Sequence, residues 1–375
     1  MTEQDLSSAS GSVDLSVIVP VFNERENLAP LVDEIRAALD SMPGVTAEVL
    51  MIDDGSSDGS ADVLRDLAAA HPALVRVLTM SRNYGQTAAL DAGIRRAVGR
   101  VIVPMDADRQ NDPADIPRLL AEVARGADVA SGWRKRRQDA FINRRLPSQI
   151  ANWIISRLTG VKIHDFGCTL KAYRRDVLAG VRLYGEMHRF IPAYALWQGG
   201  RVVEVVVNHR PRTWGKSKYG IRRTFRVLMD LMTVMFLQGR YASKPLHLFG
   251  RVGALIFGLA LALAIYVAVQ KAWYPVDDVR HVFVHRNPLF VLSAMAAMMG
   301  LGAIALGLLA ELLSRIYHVT AGTPYSIAGG RNVPGLPTPE EARALSPALA
   351  KLAEAHGKSP DVETVRMSGE PDGRA

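Results

Sequence analysis

Cysteine is almost absent from this chain: Cys168 is the only one among 375 residues. One cysteine cannot form an intramolecular disulfide, so the sequence excludes a disulfide-stapled secreted scaffold and fits a reducing compartment. A lone thiol can act as a nucleophile, but in an apolar setting it is more commonly a small buried side chain. We therefore expect Cys168 to be buried.

Several targeting and binding signals are also missing. The polar N-terminus lacks a basic segment followed by an apolar one, so we expect no signal peptide. The formal net charge is +8 and the pI about 9.7, yet no nucleic-acid-binding motif accompanies it. Basic residues cluster instead near the apolar region, at 134–145, 210–226, 240–251 and 280–286. This placement favours phosphates and lipid headgroups as partners, and no nucleic acid.

Long apolar runs occur in one part of the chain only. Residues 252–269 and 288–310 carry no charge, and each run approaches the roughly 20 residues that a membrane span needs. Both are rich in glycine and alanine, which allow close helix packing in lipid. We predict two transmembrane helices, at about 252–270 and 288–310, within a region 251–312. The alternative is a buried hairpin in a soluble core.

Arginine and lysine predict the orientation of these helices. Six precede the first span, Arg315 follows the second, and the connection 271–287 carries three. This bias predicts a multi-pass inner (plasma) membrane protein whose catalytic domain faces the cytoplasm. Residues 222–237 have apolar side chains on one helical face, which predicts interfacial amphipathic helices over 221–250 or, alternatively, a helix packed on the soluble domain. We predict disorder for 1–13 and a largely flexible cytoplasmic tail for 313–375.

Residues 14–220 have the pattern of a soluble α/β domain. Short β-branched runs alternate with segments of helical periodicity, which predicts a mostly parallel sheet with crossover helices. The predicted strands are 15–21, 48–52, 75–79 and 101–105, and the predicted helices are 28–39, 61–70 and 86–98.

Polar clusters follow three of these strands, at 20–24 (PVFNE), 53–56 (DDGS) and 106–108 (DAD). Ligands bind outside the carboxyl ends of parallel strands, so the clusters predict one site. Asp106 and Asp108 can hold a divalent cation that bridges a diphosphate, and Gln110 can add an oxygen. The alternative for the Asp-x-Asp pair is a turn stabilised by its own side chains.

The residues VIVPVFNERENL (17–28), IDDGSSDG (52–59) and MDADRQNDP (105–113) resemble family 2 glycosyltransferases. The resemblance is to the dolichol-phosphate mannose synthase and undecaprenyl-phosphate glycosyltransferase branch, and it covers about 15–320. Further matches are SGWR (131–134), DFGCTLKAYRRD (165–176), HRFIP (188–192) and GKSKY (215–219). The Gln-x-x-Arg-Trp motif of processive polysaccharide synthases is absent from the sequence, which argues against a polymerase.

The resemblance implies a GT-A type, Rossmann-like catalytic domain that uses Mg²⁺ or Mn²⁺. The residues it implies at the nucleotide sugar are Pro20, Phe22, Glu24, Asp54 and Asp106. Those it implies at the metal are Asp106, Asp108 and Gln110, with Asp108 also catalytic. Arg109 departs from the apolar residue usual in this branch, and we expect its side chain to point away from the metal.

A lipid phosphate is already an anion, so an acceptor site must hold and aim it with cations rather than deprotonate it. The candidate lipid-phosphate ligands are Arg134, Arg144, Arg145, Arg212, Lys216 and Lys218, each alternatively a solvated charge. The resemblance favours Arg134 and 215–218. It also implies that Asp165 lies near the transferring sugar as a catalytic base or orienting group; its alternative role is a cap. Residues 188–190 are expected to shape the acceptor pocket.

Together these features predict a hexosyltransferase that moves a sugar from a UDP- or GDP-linked donor to undecaprenyl or dolichyl phosphate, with inversion. Its product would be a lipid-linked sugar for modifying cell-envelope glycans or glycoconjugates. The alternatives are a membrane glycosyltransferase with a hydroxyl acceptor and a non-catalytic nucleotide-binding scaffold. The resemblance is also compatible with a homotetramer. No residue pattern identifies the sugar or the base.

Overall fold

The computed structural model describes residues 13–135, 152, 155–157, 159–179, 181, 183, 185, 187–211, 245–273, 287–321, 346–357 and 361–367. The chain forms two compact units. One comprises residues 1–234 together with 327–375, and the other comprises residues 235–326.

The first unit begins with alternating strands and helices. The strands are β1 (Leu15–Val21), β2 (Ala47–Asp53), β3 (Val75–Thr79) and β4 (Val101–Pro104). The helices between them are α1 (Arg25–Asp40), α2 (Ser60–Ala70) and α3 (Gln86–Arg96). These strands are parallel in the order β3-β2-β1-β4. The alternation predicted for this half is confirmed.

The second half of this unit extends the same sheet with mixed strand directions. Its strands are β5 (Val129–Trp133), β6 (Lys171–Arg174) and β7 (Val202–Val206), and its helices are α4 (Ile116–Ala124), α5 (Arg175–Ala179) and α6 (Ile191–Trp197). Strand β6 runs antiparallel between β4 and β5, whereas β5 and β7 are parallel. The result is the α/β, mostly parallel sheet that the sequence predicts.

Branched aliphatic side chains fill the core on both faces of the sheet, because buried parallel strands have no solvated side. In the register of the sheet, Val21 lies opposite Asp53 and Ile18 opposite Pro104. The carboxyl ends of β1, β2 and β4 therefore meet at one edge. Cys168 is fully buried beneath this edge, as predicted.

Part of the C-terminal segment belongs to this first unit, which corrects the prediction of a largely flexible tail over 313–375. Helix α9 (Pro347–Ala355) buries Leu349 and Leu352 in the core. Strand β8 (Val362–Thr364) then pairs antiparallel with β7 at the edge of the sheet. A helix of the second unit, α8 (Pro288–Ala321), also extends beyond 313. Tertiary packing orders these pieces, since their short local patterns do not.

The second unit contains two long apolar helices, α7 (Pro245–Trp273) and α8 (Pro288–Ala321). Within them, Phe249–Trp273 and Pro288–Leu313 are long and apolar enough to cross a membrane. Most of their large side chains are exposed, which does not fit a hairpin buried in a soluble core. The predicted interfacial region 221–250 lies outside the described residues up to 244, and its last six residues begin α7 instead.

The two helices of this unit approach each other through glycine. A Cβ added at Gly253 would lie 2.6 Å from the Gly300 carbonyl oxygen, and one added at Gly307 would lie 2.8 Å from the Phe249 Cβ. Small residues at such contacts let helix backbones pack closely in lipid, as the glycine content predicts.

Candidate functional site

The loops after β1 and β2 are joined through Asn23, which adopts a left-handed φ of 55°. The backbone amide of Asn23 donates to Ser56 Oγ (3.0 Å), and the side-chain Oδ1 of Asn23 accepts from the backbone amide of Ser57 (2.8 Å). The Glu24 amide donates to Ser60 Oγ (3.1 Å) at the start of α2. Asparagine is one of the few residues besides glycine that adopt this conformation readily. The predicted clusters at 20–24 and 53–56 therefore form one continuous surface.

Asp54 is buried and holds a third loop that sequence reasoning missed. Its Oδ1 accepts from Tyr84 N (2.7 Å) and its Oδ2 from Gly85 N (2.8 Å). Gly85 has a φ of 95°, immediately before α3 begins. Arg82 lies over the exposed Tyr84 ring, 4.7 Å from its centroid. The loop 80–85 thus borders the predicted nucleoside surface, and Asp54 fixes its position.

The Asp-x-Asp pair follows β4 and is held by neighbours from other elements. Asp106 Oδ1 accepts from Gln86 Nε2 (2.7 Å), and its Oδ2 accepts from Thr169 Oγ1 (2.8 Å). Asp108 is buried, and its Oδ1 accepts from the backbone amide of Gln110 (3.1 Å). Gln86 and Thr169 orient the first carboxylate, and neither was predicted from the sequence.

These residues fit a divalent cation. Carboxylate and amide oxygens are the ligands that Mg²⁺ and Mn²⁺ prefer. In the described part of the chain, no group of three or more His, Cys, Asp or Glu side chains is arranged to hold a metal. Asp106 and Asp108 therefore provide an incomplete ligand set, which suits a cation that completes its coordination with substrate phosphates and water.

Arg109, whose side chain the sequence predicts to point away from the candidate metal residues, reaches helix α1. It has a left-handed φ of 59°, and its guanidinium pairs with Glu34 on α1. Arg210 also donates to Glu34 (2.9 Å), and its backbone amide donates to the Gln110 carbonyl (2.9 Å). Glu34 therefore links Arg109, which lies in the candidate metal loop (residues 106–110, hereafter the metal loop), to Arg210, which is bonded to the same loop.

Asp112, just after the metal loop, completes this ionic network. Arg210 forms an ion pair with it, and Asn208 Nδ2 donates to its Oδ2 (3.0 Å). Burial raises the pKa of Asp112, but the hydrogen bonds from Arg210 and Asn208 outweigh this and lower it overall. The segment after β7 is thereby attached to the chain at 110–112 by the Arg210–Asp112 ion pair and by the backbone hydrogen bond from Arg210 to Gln110.

Arg134 and Asp165 are partners of each other. Arg134 Nε donates to Asp165 Oδ2 (2.7 Å) and its Nη2 to Oδ1 (2.9 Å), a bidentate pair. Burial alone would lower the pKa of Arg134, but the charge and hydrogen bonds of Asp165 raise it overall. A Cβ added at Gly167 would lie 3.2 Å from the Nη2 of Arg134 and 3.2 Å from the Nη1 of Arg189. Two guanidinium groups thus converge on Gly167.

Two buried groups lie behind this pair. Lys171 is fully buried and donates to the Phe166 carbonyl (3.1 Å). Burial lowers its pKa to about 8, although the nearby Cys168 and Asp165 oppose the shift. Burial also raises the pKa of the Cys168 thiol to about 11, so this thiol is not activated as a nucleophile.

The other predicted residues divide into two groups. Pro20 and Phe22 lie half-buried at the end of β1. His188 is buried, and its Nδ1 lies 2.9 Å from Thr87 Oγ1. The remaining predicted phosphate ligands lie outside the described residues: Arg144, Arg145, Arg212, Lys216 and Lys218.

The family of this chain is shown by its similarity to known proteins. Residues 16–182 match the sequence profile of glycosyl transferase family 2. A dodecaprenyl-phosphate galacturonate synthase from Rhizobium johnstonii is 40% identical over 316 residues, covering 84% of this chain and 91% of that protein. The chain belongs to glycosyl transferase family 2. It is therefore a glycosyltransferase, and the resemblance predicted from its motifs is confirmed.

Two further similarities are found. An undecaprenyl-phosphate 4-deoxy-4-formamido-L-arabinose transferase from Pseudomonas fluorescens is 35% identical over 328 residues, covering 87% of this chain and 92% of that protein. A crystal structure of glucosyl-3-phosphoglycerate synthase from Mycobacterium tuberculosis, in complex with Mn²⁺, uridine diphosphate and phosphoglyceric acid, has a TM-score of 0.45. It is 19% identical and covers 63% of this chain and 81% of that one.

Proposed function

We propose that this family 2 glycosyltransferase transfers a sugar from a nucleotide-sugar donor to the phosphate of a polyprenyl lipid, with inversion at the anomeric carbon. The observation that carries the proposal is its similarity, over more than four-fifths of the chain, to two relatives whose names specify polyprenyl-phosphate acceptors. Its two apolar helices suit an enzyme whose acceptor resides in a membrane. The product would supply lipid-linked sugar for modifying envelope glycans.

On the donor side, Pro20, Phe22, Glu24 and Asp54 would surround the nucleoside. Asp106, Asp108 and Gln110 would hold Mg²⁺ or Mn²⁺ at the diphosphate. When bound, the metal supplies positive charge that offsets the charge developing on the departing nucleoside diphosphate. Gln86 and Thr169 already orient Asp106 for this task.

On the acceptor side, Arg134 would orient the lipid phosphate. An oxygen of that phosphate attacks the anomeric carbon as the bond to the diphosphate breaks, so one displacement inverts the centre. The phosphate is already anionic and needs no strong base. Asp165 bonds to Arg134 through both of its oxygens, which favours an orienting role over that of a base. The basic side chains at 144–145 and 212–218, which lie outside the described residues, are further candidates for binding the same phosphate.

The proposed location is the inner membrane, crossed twice, with the catalytic unit in the cytoplasm where nucleotide sugars are found. The positive residues before α7 and after residue 313 support this orientation. A homo-oligomer, for example a tetramer, is part of the same proposal and rests on the family resemblance.

Sugar transfer in detergent tests the proposal directly. The assay combines undecaprenyl or dodecaprenyl phosphate, Mn²⁺ or Mg²⁺, and labelled UDP- and GDP-sugars that include hexoses, hexuronates and amino-pentoses. We expect one donor to give a chloroform-soluble, mild-acid-labile product. Asp108→Asn should lower its rate by about 10²-fold or more, because a metal-binding carboxylate is lost.

Asp62→Asn provides a matched control, since Asp62 is exposed on α2 and pairs only with the exposed Arg65 in the described contacts. It should retain the wild-type rate. A folded, nucleotide-binding enzyme that makes no lipid product from any donor would contradict the proposal. Transfer to a lipid or glycan hydroxyl instead would identify a different acceptor class.

A further inference from the structure

A buried carboxylate on β7 lies next to Asp165 and has no part in the site described so far. Glu204 is 1% exposed and faces Ser131 of β5 in the sheet register. It accepts from the His164 amide (3.0 Å at Oε1 and 3.1 Å at Oε2) and from the Asp165 amide (3.3 Å). One side chain therefore fixes two successive backbone amides of the segment that carries Asp165.

The same carboxylate reaches Arg134 by a second route. The His164 Nδ1 lies 2.8 Å from Glu204 Oε2, and its ring stacks on Trp133 with centroids 4.2 Å apart and an interplanar angle of 16°. Trp133 directly precedes Arg134 in the chain. Glu204 thus supports both members of the Arg134–Asp165 pair.

The burial and hydrogen bonds of Glu204 indicate that it holds the backbone of residues 164–165 in place. Burial raises the pKa of Glu204, and the hydrogen bonds from His164 oppose this shift. A buried carboxylate is tolerated when its lone pairs are satisfied, and here backbone amides satisfy them. Its described side-chain partners are residues 164 and 165, so its removal would free that backbone and leave the buried Asp165 amide and the part-buried His164 amide without this acceptor.

We propose that Glu204 is a positioning residue: it fixes the backbone at 164–165 so that Asp165 holds the Arg134 guanidinium in one orientation toward the acceptor phosphate. The expected effect on sugar transfer rests on the proposed function of Arg134. The hydrogen bonds of Glu204 to residues 164 and 165 are independent of that function. A displacement of about 1 Å at a residue that aims a reactant can lower a rate by as much as about 10²-fold. The inference therefore predicts a defect in turnover rather than in donor binding.

Two substitutions of Glu204 distinguish the effect of losing its hydrogen bonds from the effect of losing its negative charge. In Glu204→Ala, both amides lose their acceptor, and we expect kcat to fall about 10- to 100-fold with the donor KM changed less than about threefold. In Glu204→Gln, the remaining oxygen can accept from both amides, and the new amide group can donate to a neutral His164 ring. We expect this variant to keep at least about a third of the wild-type kcat.

Glu363 offers a matched control on the neighbouring strand. It pairs with Glu204 in the β7–β8 register and lies 3.8 Å from His164 Nδ1, but its side chain is 57% exposed. Among the described contacts it accepts no bond from the amides of 164 or 165. Glu363→Gln should therefore stay within about twofold of the wild-type kcat.

Hydrogen–deuterium exchange supplies a readout that does not depend on the acceptor. Amides 164 and 165 should exchange about tenfold faster or more in Glu204→Ala, but at the wild-type rate in Glu363→Gln. Unchanged exchange would overturn the inference whatever the acceptor is. Faster exchange in an enzyme that makes no lipid product with any donor would instead support the positioning contact while the proposed function fails.

A double-substitution cycle tests whether Glu204 acts through Asp165. If it does, adding Glu204→Ala to Asp165→Asn should lower kcat less than about twofold further. If the two substitutions lower kcat independently, so that their effects multiply in the double variant, the inference is contradicted. A wild-type kcat in Glu204→Ala would contradict it too. If Glu204→Ala does not fold, Glu204→Asp repeats both tests, because its shorter side chain withdraws the carboxylate from the amides while keeping the charge.

Discussion

At the scale of single residues, the acidic side chains at the strand ends differ in what holds them. Asp54 is fixed by two backbone amides, and Asp106 by Gln86 and Thr169. Asp165 is fixed by an arginine. Each is therefore oriented by protein groups before any ligand arrives, which lowers the ordering needed on binding.

Glu34 should influence metal use although it lies on α1 and not in the metal loop. It pairs with Arg109, which has a left-handed φ within that loop, and with Arg210, which is bonded to Gln110. Glu34→Ala would leave both arginines without this partner. We expect the Mn²⁺ concentration for half-maximal activity to rise about three- to tenfold, measured by metal titration of the transfer rate.

The control for this prediction is Asp33→Ala, one residue earlier on the same helix. Asp33 is exposed and pairs only with Arg36 in the described contacts. Its metal requirement should equal that of the wild type. An unchanged metal requirement in Glu34→Ala would show that the loop keeps its geometry without the ionic bracket.

Lys171 should make stability depend on pH. Its pKa is about 8 in the folded protein and 10.5 ordinarily, so between these values the unfolded chain binds more protons. Stability therefore rises with pH across this window, by about 1–3 kcal/mol for this group. The difference in Tm between wild type and Lys171→Met should shift in favour of the wild type from pH 7.5 to 10. Lys162→Met, at an exposed position, should show no such trend.

At the scale of elements, the first half of the fold was readable because its patterns are local. The strands at 15–21 and 75–79 have the predicted bounds, since apolar runs end there at polar or turn residues. Strands β6 and β7 were not predicted, because a charged residue, Lys171 or Glu204, interrupts the apolar pattern of each. Such charges are compatible with burial only through specific partners, which for Glu204 lie about 40 residues away.

The site shows the same division. The Asp-x-Asp pair and Asp165 were predicted from motifs, whereas Gln86 and Glu204 lie outside every motif and Thr169, although within the 165–176 motif, was given no role. Glu204 lies 40 residues from His164, and no local spacing signals that contact. The C-terminal strand of three residues is likewise too short for periodicity, and it forms because β7 offers an unpaired edge.

Helix α9 should stabilise the catalytic unit. Leu349 is fully buried in the main core, and Arg125 at the end of α4 donates to the Ala353 carbonyl (2.7 Å). Leu349→Ala should lower the free energy of unfolding by about 2–4 kcal/mol, because it leaves a cavity. Thermal unfolding in detergent measures the change. Lys351→Ala, exposed on the same helix, should change stability by less than about 0.5 kcal/mol, and an equal loss in both variants would contradict core packing by α9.

At the scale of the whole molecule, the proposed orientation can be tested with introduced thiols, because the single native cysteine is buried. Trp273→Cys places a thiol at the exposed end of α7, and Asp62→Cys places one on α2. In intact cells, a membrane-impermeant maleimide should label the first variant and should label the second only after permeabilisation. The wild type should remain unlabelled in both conditions, and the reverse pattern would place the catalytic unit outside.

The position of β8 has a consequence for biosynthesis. About 155 residues, including both apolar helices, separate the end of β7 from the start of β8. At a translation rate of about 5–20 residues per second, β7 is made roughly 8–30 s before its edge partner. During that interval the nascent sheet exposes an open edge that can pair with other chains. Completion of the first unit is thereby timed to follow synthesis of the two apolar helices, and an enzyme stalled before its last 30 residues would be a substrate for chaperones and proteases.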